Sequence, residues 1–234
     1  MSAAADDVRP PGPDLPGAAL LDVVAVMDRL RSPGGCPWDA EQTHDSLTRY
    51  LVEETYEVLD AVEALDGTPE PETELAEELG DVLLQVVFHA RVAAERGAFD
   101  VDDVARGLAA KLRRRHPHVF GDGVLPLTGD GVQARWDELK AAEKPSRGPV
   151  DGIPLHLPAL ARADKLLSRL DRAGIPLADV APAPATTEGQ LGAELLALVV
   201  RARAAGVDAE AALRATVRSV QTAAAGGRAG WVRS

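Results

Sequence analysis

The stretch LTRYLVEETYEVLDAVEAL, residues 47–65, decides the fold. On a helical wheel with Glu54 as origin, Leu47 and Leu65 fall at about +20°, Val58 at about +40°, Leu51 at about +60° and Ala61 at about −20°. Glu54 therefore stands in the middle of an apolar stripe, and Glu57, at about −60°, stands at its edge. Glu53 flanks the stripe at about −100°, while Asp60 and Glu63 fall on the opposite, solvated side. A second stretch, EELGDVLLQVVFHA at residues 77–90, repeats the arrangement. Measured from Glu78, Asp81 lies at about −60°, Val82 at about +40°, Gln85 at about −20° and His89 at about +20°. Its other faces carry Leu79, Leu83, Leu84, Val86 and Val87, and a helix apolar nearly all round is buried on more than one side. Packed as consecutive antiparallel helices, the two stretches turn Glu54, Glu57, Glu78 and Asp81 toward one interior.

Buried carboxylates need a cation or hydrogen-bond donors, and no basic residue shares these faces. Oxygen donors without cysteine and with little histidine select Mg²⁺, or Mn²⁺ in its place, over zinc. The alternative is a set of partly protonated or peripheral carboxylates. Between Glu41 and Asp81 there are fourteen acids and a single base, Arg49. From Val82 onward the balance turns basic, with Lys111, Arg113, Arg114 and Arg115 ending one helix and Lys140 following Trp136 at i+4. Guanidinium groups suit phosphate oxygens and an indole suits a nucleobase. Cations at a helix C-terminus also simply complement the dipole.

The whole chain agrees with a helical reading. Its 234 residues carry 37 acids against 25 bases, a net charge of −12, and only 3% aromatics. Ala, Leu, Val, Glu and Arg dominate, a helix former's composition, and the expected class is all-α. The acidity argues against nucleic-acid and anionic-membrane partners. One cysteine excludes an internal disulfide framework, and no apolar run reaches the length of a membrane span. The start, MSAAADDVRPPGPDLPG, is unlike a signal or transit peptide, so a cytoplasmic location is expected. Residues 1–19 read as a disordered arm, 20–148 as a catalytic domain, 149–225 as a degenerate second repeat and 226–234 as a flexible tail. Helices are expected near 20–31, 43–65, 73–96, 101–115, 132–143, 157–172, 188–205 and 208–224, with Gly35–Asp39 as a loop. The repeat is seen in Glu77–Val87 against Gly189–Val199, where Gln190 replaces Glu78 and Ala193 replaces Asp81 while the apolar frame persists.

Several ordered words in the chain carry a family resemblance. Glu53-Glu54-x-x-Glu57 followed by Glu78-x-x-Asp81 resembles the signature of the all-α nucleoside triphosphate pyrophosphohydrolases. Gly35-Cys36-Pro37-Trp38-Asp39, Glu41-Gln42-Thr43, Leu79-Gly80-Asp81, Arg114-Arg115-His116-Pro117-His118-Val119-Phe120 and Ala134-Arg135-Trp136 narrow the resemblance to the MazG type. It runs from about Leu20 to Glu143 and extends weakly to Leu160. The resemblance implies Mg²⁺-dependent cleavage of nucleoside triphosphates to monophosphate and pyrophosphate, with housecleaning of the nucleotide pool as the family-level role. It implies Glu54, Glu57, Glu78 and Asp81 as metal ligands, and Lys111, Arg114, Arg115, Trp136 and Lys140 as nucleotide contacts. Glu53 is expected to orient or deprotonate the attacking water. One working site per chain is expected, in the first repeat, and Lys165 resembles a second-repeat phosphate contact whose partners are gone.

Other residues read more plainly. Cys36 lacks an activating base and reads as inert, His116 and His118 read as helix-ending, and His89 as packing or hydrogen bonding. The apolar helix at 77–90 leads to an expected homo-oligomer, a dimer or larger. Two other function classes compete. A non-catalytic nucleotide-sensing or dimerisation scaffold suits the second half. A di-iron carboxylate bundle needs two Glu-x-x-His pairs, and the chain has one, Glu41-Gln42-Thr43-His44, outside the carboxylate faces.

Overall fold

A computed structural model describes residues 17–121, 128–129, 131–132, 135–136, 139, 148, 150–181 and 183–228. Most of the expected arm, part of the tail, most of the helix expected at 132–143 and Lys140 lie outside the described residues. Among the described residues no strand occurs, and the protein is all-α. The chain divides into two compact units, one ending at Trp136 and the other beginning at Asp137.

In the first unit α1 spans Ala18–Arg31, α2 Pro37–Glu41, α3 His44–Ala64, α4 Pro69–Ala94, α5 Val101–Arg115 and α6 Pro117–Phe120. The helix ends follow local chemistry. Thr43 caps α3 and exchanges hydrogen bonds with Ser46, and Asp100 does the same with Asp103 at α5, which satisfies amide groups that a helix start otherwise leaves unpaired. Two expectations change. Residues 37–39 of the expected Gly35–Asp39 loop belong instead to α2, because Pro37 sits at its first position where a missing N–H costs nothing. For the same reason α4 begins at Pro69, four residues before the expected Thr73: Pro69 and Pro71 fall in its first turn.

Helix α4 is the centre of this unit, packing on α1, α3 and α5. Met27 of α1, Leu47 of α3 and Val87, Phe88 and Val92 of α4 form the buried cluster, with Val23, Val24, Leu30, Tyr50, Leu83 and Val101 against it. The link between α1 and α3 is held by Arg31. Its Nε and one terminal nitrogen each donate at 2.8 Å to the Glu95 carboxylate, while the other donates to the carbonyls of Asp39 and Gln42. The Arg31 hydrogen bonds hold the Glu95 carboxyl below the usual carboxylate range. Gly35 is obligatory in this link: a Cβ there would meet the Leu30 carbonyl oxygen at 2.1 Å.

The second unit is a helical cluster in its own right. Helix α7 spans Ala159–Ala173, α8 Leu177–Val180, α9 Thr187–Ala204 and α10 Ala209–Arg228. Leu167 and Leu170 of α7 and Val199 of α9 are its buried residues. Arg203 of α9 ties the pair by ion bridges to Asp164 at 3.0 Å and Asp171 at 3.1 Å. Helix α10 continues past its expected end at 224 through Ala225, Gly226 and Gly227 to Arg228, although glycine is a poor helix former.

Candidate functional site

The packing of α3 on α4 brings the carboxylates together. One carboxylate oxygen from each of Glu54, Glu78 and Asp81 lies within 4.8 Å of the others, with Glu54 and Glu78 half-buried and Asp81 exposed. Glu57 joins by a side-chain hydrogen bond with Glu54. The wheel placed Glu54 and Glu78 on the inner stripes and Glu57 and Asp81 at their edges, and the exposures follow that order. Leu47 and Ala61, on the Glu54 stripe, are buried.

Crowding makes the cluster electrostatically expensive. Burial, the hydrogen bond with Glu57, and the charges of Asp81, Glu57 and Glu53 push the Glu54 carboxyl up to about 7. Burial and the charges of Glu57, Asp81, Glu74 and Glu77 push Glu78 up as well. A hard divalent cation would remove that repulsion, and the donor set consists of the oxygens such an ion takes. The residues present fit Mg²⁺ or Mn²⁺ and do not fit a thiolate-rich zinc site.

Glu53 is exposed beside this cluster, and its charge acts on Glu54. The basic residues gather at the end of α5. Lys111, Arg114 and Arg115 lie on one face of the end of α5 at i, i+3 and i+4. The Arg115 guanidinium stands 5.0 Å from the Trp136 ring centre, and the His116 ring meets the same indole edge-on at 4.9 Å. His116 also ends α5, its Nδ1 lying 2.8 Å from the Leu112 carbonyl oxygen.

Two polar features were missed at the level of sequence. His44 of α3 and His89 of α4 meet with 2.7 Å between their Nδ1 atoms. Their planes are 7° apart and their centroids 5.0 Å apart, so the rings meet edge to edge in nearly one plane, sharing a single N–H···N hydrogen bond. Burial and the neighbouring His44 push the His89 pKa down. Gln85 of α4 is 4% exposed and its Oε1 has no hydrogen-bond partner among the described residues. The signal for both was on the wheel: an amide and a ring within about 20° of Glu78 on an otherwise apolar stripe. An open cleft of about 470 Å³ at the first turn of α3, lined in part by Arg31, Gln42, His44 and Glu95, includes none of the four carboxylates.

The chain is similar to several known proteins. Residues 42–120 match the family described as the MazG nucleotide pyrophosphohydrolase domain. An uncharacterized 26.1 kDa protein of Streptomyces cacaoi is 53% identical over 86% of this chain and 79% of its own. A protein of Mycolicibacterium smegmatis named nucleoside triphosphate pyrophosphohydrolase is 44% identical over 92% of this chain, which spans 63% of that relative's length. The nucleoside triphosphate pyrophosphohydrolase/pyrophosphatase MazG of Thermotoga maritima is 39% identical over 86% of this chain and 82% of its own. No described helix is long and apolar enough to cross a membrane. With the carboxylate cluster between α3 and α4 inside the matched segment, the chain belongs to the MazG nucleotide pyrophosphohydrolase family.

Proposed function

We propose that the protein hydrolyses nucleoside triphosphates to nucleoside monophosphate and pyrophosphate, with Mg²⁺ as the natural cation and Mn²⁺ able to replace it. The observation that carries this reading is the convergence of Glu54, Glu78 and Asp81 within 4.8 Å, set in a family whose members are named for that reaction. Glu54, Glu57, Glu78 and Asp81 would hold the cation. When bound, it supplies Lewis-acid polarisation of the phosphoryl oxygens and neutralises charge on the departing pyrophosphate. Glu53, exposed and adjacent, orients the attacking water and takes its proton. Lys111, Arg114 and Arg115 bind phosphate oxygens as donors, Arg114 and Arg115 through a planar guanidinium, and Lys140 adds a further cation. Trp136 offers its indole to the base, displacing Arg115 or His116 from the ring. No residue named in this set reads a particular base, which supports broad nucleotide tolerance, and the family-level role that accompanies it is housecleaning of the nucleotide pool.

The second unit, a degenerate repeat in this reading, brings no such acid set together among its described residues, and one site then serves each chain. Leu79 is 51% exposed and Val86 40% exposed on α4, an apolar edge suited to a dimer, and light scattering at micromolar protein checks the mass. The reaction is tested by phosphorus NMR of the products from a nucleotide panel with Mg²⁺. Monophosphate and pyrophosphate are expected; diphosphate and phosphate would place the cut at the wrong bond. Nucleotide binding without turnover would favour the sensing scaffold.

A further inference from the structure

The α4 face that carries the carboxylates also carries a buried amide with no role in the steps above. Gln85 follows Asp81 by four residues and Glu78 by seven, so the three share one side of the helix. It is 4% exposed, and its Oε1 is buried without a hydrogen-bond partner among the described residues. Helical side chains lean toward the N-terminus of their helix, which carries the Gln85 amide over the turn that holds Asp81. A buried carbonyl oxygen left unpaired is unfavourable and asks for an explanation.

The polar groups on that side are the carboxylates and, a turn beyond Gln85, His89. An ionised carboxylate only accepts hydrogen bonds, so toward the cluster a donor for Gln85 arrives with whatever occupies it. A small divalent cation keeps several waters when protein carboxylates bind it, and each such water is a strong donor. We propose that Gln85 is a positioning residue for the cation: its Oε1 accepts a hydrogen bond from a water of the cation's hydration shell and so fixes how the ion sits among Glu54, Glu78 and Asp81. This rests on the cation-dependent reading above. Helix α9 supplies independent support. Aligned on Glu77–Val87, it carries Gln190 for Glu78, Ala193 for Asp81 and Ala197 for Gln85, yet keeps Val199 for Val87. The amide is lost together with the carboxylates, while the packing residue stays.

The competing arrangement is a water lodged between Gln85 and His89, whose buried Nε2 also lacks a partner among the described residues. Mn²⁺ alone, added to the full chain, separates the two. Its affinity is read from the free-ion electron paramagnetic resonance signal, and its retained waters from proton relaxation. Gln85→Met keeps the length and removes the acceptor; it is expected to weaken Mn²⁺ binding about 10–100-fold, the usual effect of removing an outer-shell partner, and to alter relaxation. Gln85→Glu restores an acceptor and should return affinity to within a few-fold of wild type. Wild-type affinity and relaxation in Gln85→Met, with only a lowered melting temperature, would overturn the proposal in favour of the water beside His89. Should Gln85→Met fail to fold by circular dichroism, Gln85→Asn, which withdraws the amide by one methylene, carries the same test. A wild-type chain that binds no Mn²⁺ would instead overturn the cation reading, and this proposal with it.

Discussion

Helix α4 buries Val87 and holds Glu78 and Asp81 against Glu54, whereas α9 buries Val199 at the matched position and carries Gln190 and Ala193 where the acids would stand. Leu79 and Leu191, also matched, are both exposed, at 51% and 58%. The two helices thus share a packing frame and differ in chemistry. Each frame is built from apolar residues at helical spacing, and that spacing sets what is buried whichever polar residues fill the gaps. The acids of α4 add nothing to that frame and burden it: burial and the charges of Glu57, Asp81, Glu74 and Glu77 push Glu78 above its usual range. A helix with no cation to bind would be better off without them, and the proposed reading makes α9 such a helix.

The largest effect is expected from making α4 resemble α9. The double variant Glu78→Gln/Asp81→Ala should lower turnover by more than the roughly 10–100-fold typical of losing an outer-shell partner, with the circular dichroism spectrum unchanged. Collapse of the fold would show that the acids belong to the frame after all.

Next comes the clasp of the first unit, which is buried where the Arg203 bridges of the second unit are part-exposed. Arg31 is buried, with a side-chain exposure of 3%. Arg31→Ala should cost about 3 kcal/mol, since it strips a charged partner from Glu95 and donors from two carbonyls. The figure sits at the low end of the buried-pair range because Glu95 keeps 35% exposure and some solvent screening. Urea unfolding measures it, and a loss below about 1 kcal/mol would reduce the clasp to a surface ion pair.

The matched valines sharpen the comparison. Val87→Ala and Val199→Ala each remove two buried methyl groups, and each should cost about 2 kcal/mol. A value near zero for Val199→Ala would mean that α9 no longer depends on the shared frame.

The smallest effect concerns pH. Burial and His44 hold the His89 pKa below its ordinary value of 6.5, so the native state resists a proton that the unfolded chain accepts. Stability is then full above pH 6.5 and declines as pH falls below that value toward the lower native pKa. The cations near the pair are engaged elsewhere, Arg31 with Glu95 and Arg91 with Asp28 and Glu95. Denaturant midpoints at pH values on either side of 6.5 should differ in wild type and converge in His89→Leu. An equal drop in both would assign the acid sensitivity to other groups.

Much of the site was legible before any coordinates, because its residues violate a pattern. A glutamate in the middle of an apolar stripe, as at Glu54, is visible on a wheel, and the partner stripe at Glu78 tells which helix faces it. The prolines were less legible. Asp66-Gly67-Thr68-Pro69 reads as the end of the preceding helix, since a proline inside a helix breaks it, but the first-turn position of Pro69 and Pro71 in α4 reverses that meaning. The wheel put His89 on the inner stripe but could not name His44 as its partner, because periodicity gives the face of each helix and not the register between two of them. Arg31 was missed for a similar reason: its partners lie 8, 11 and 64 residues away.

The most direct test changes each helix once. Phosphorus NMR would follow Mg²⁺-dependent release of pyrophosphate from nucleoside triphosphate by wild type, by Asp81→Ala in α4 and by Glu194→Gln in α9. Turnover in wild type and Glu194→Gln, with almost none in Asp81→Ala, is the predicted result. Full turnover in Asp81→Ala, or its loss in Glu194→Gln, would contradict a single site built between α3 and α4.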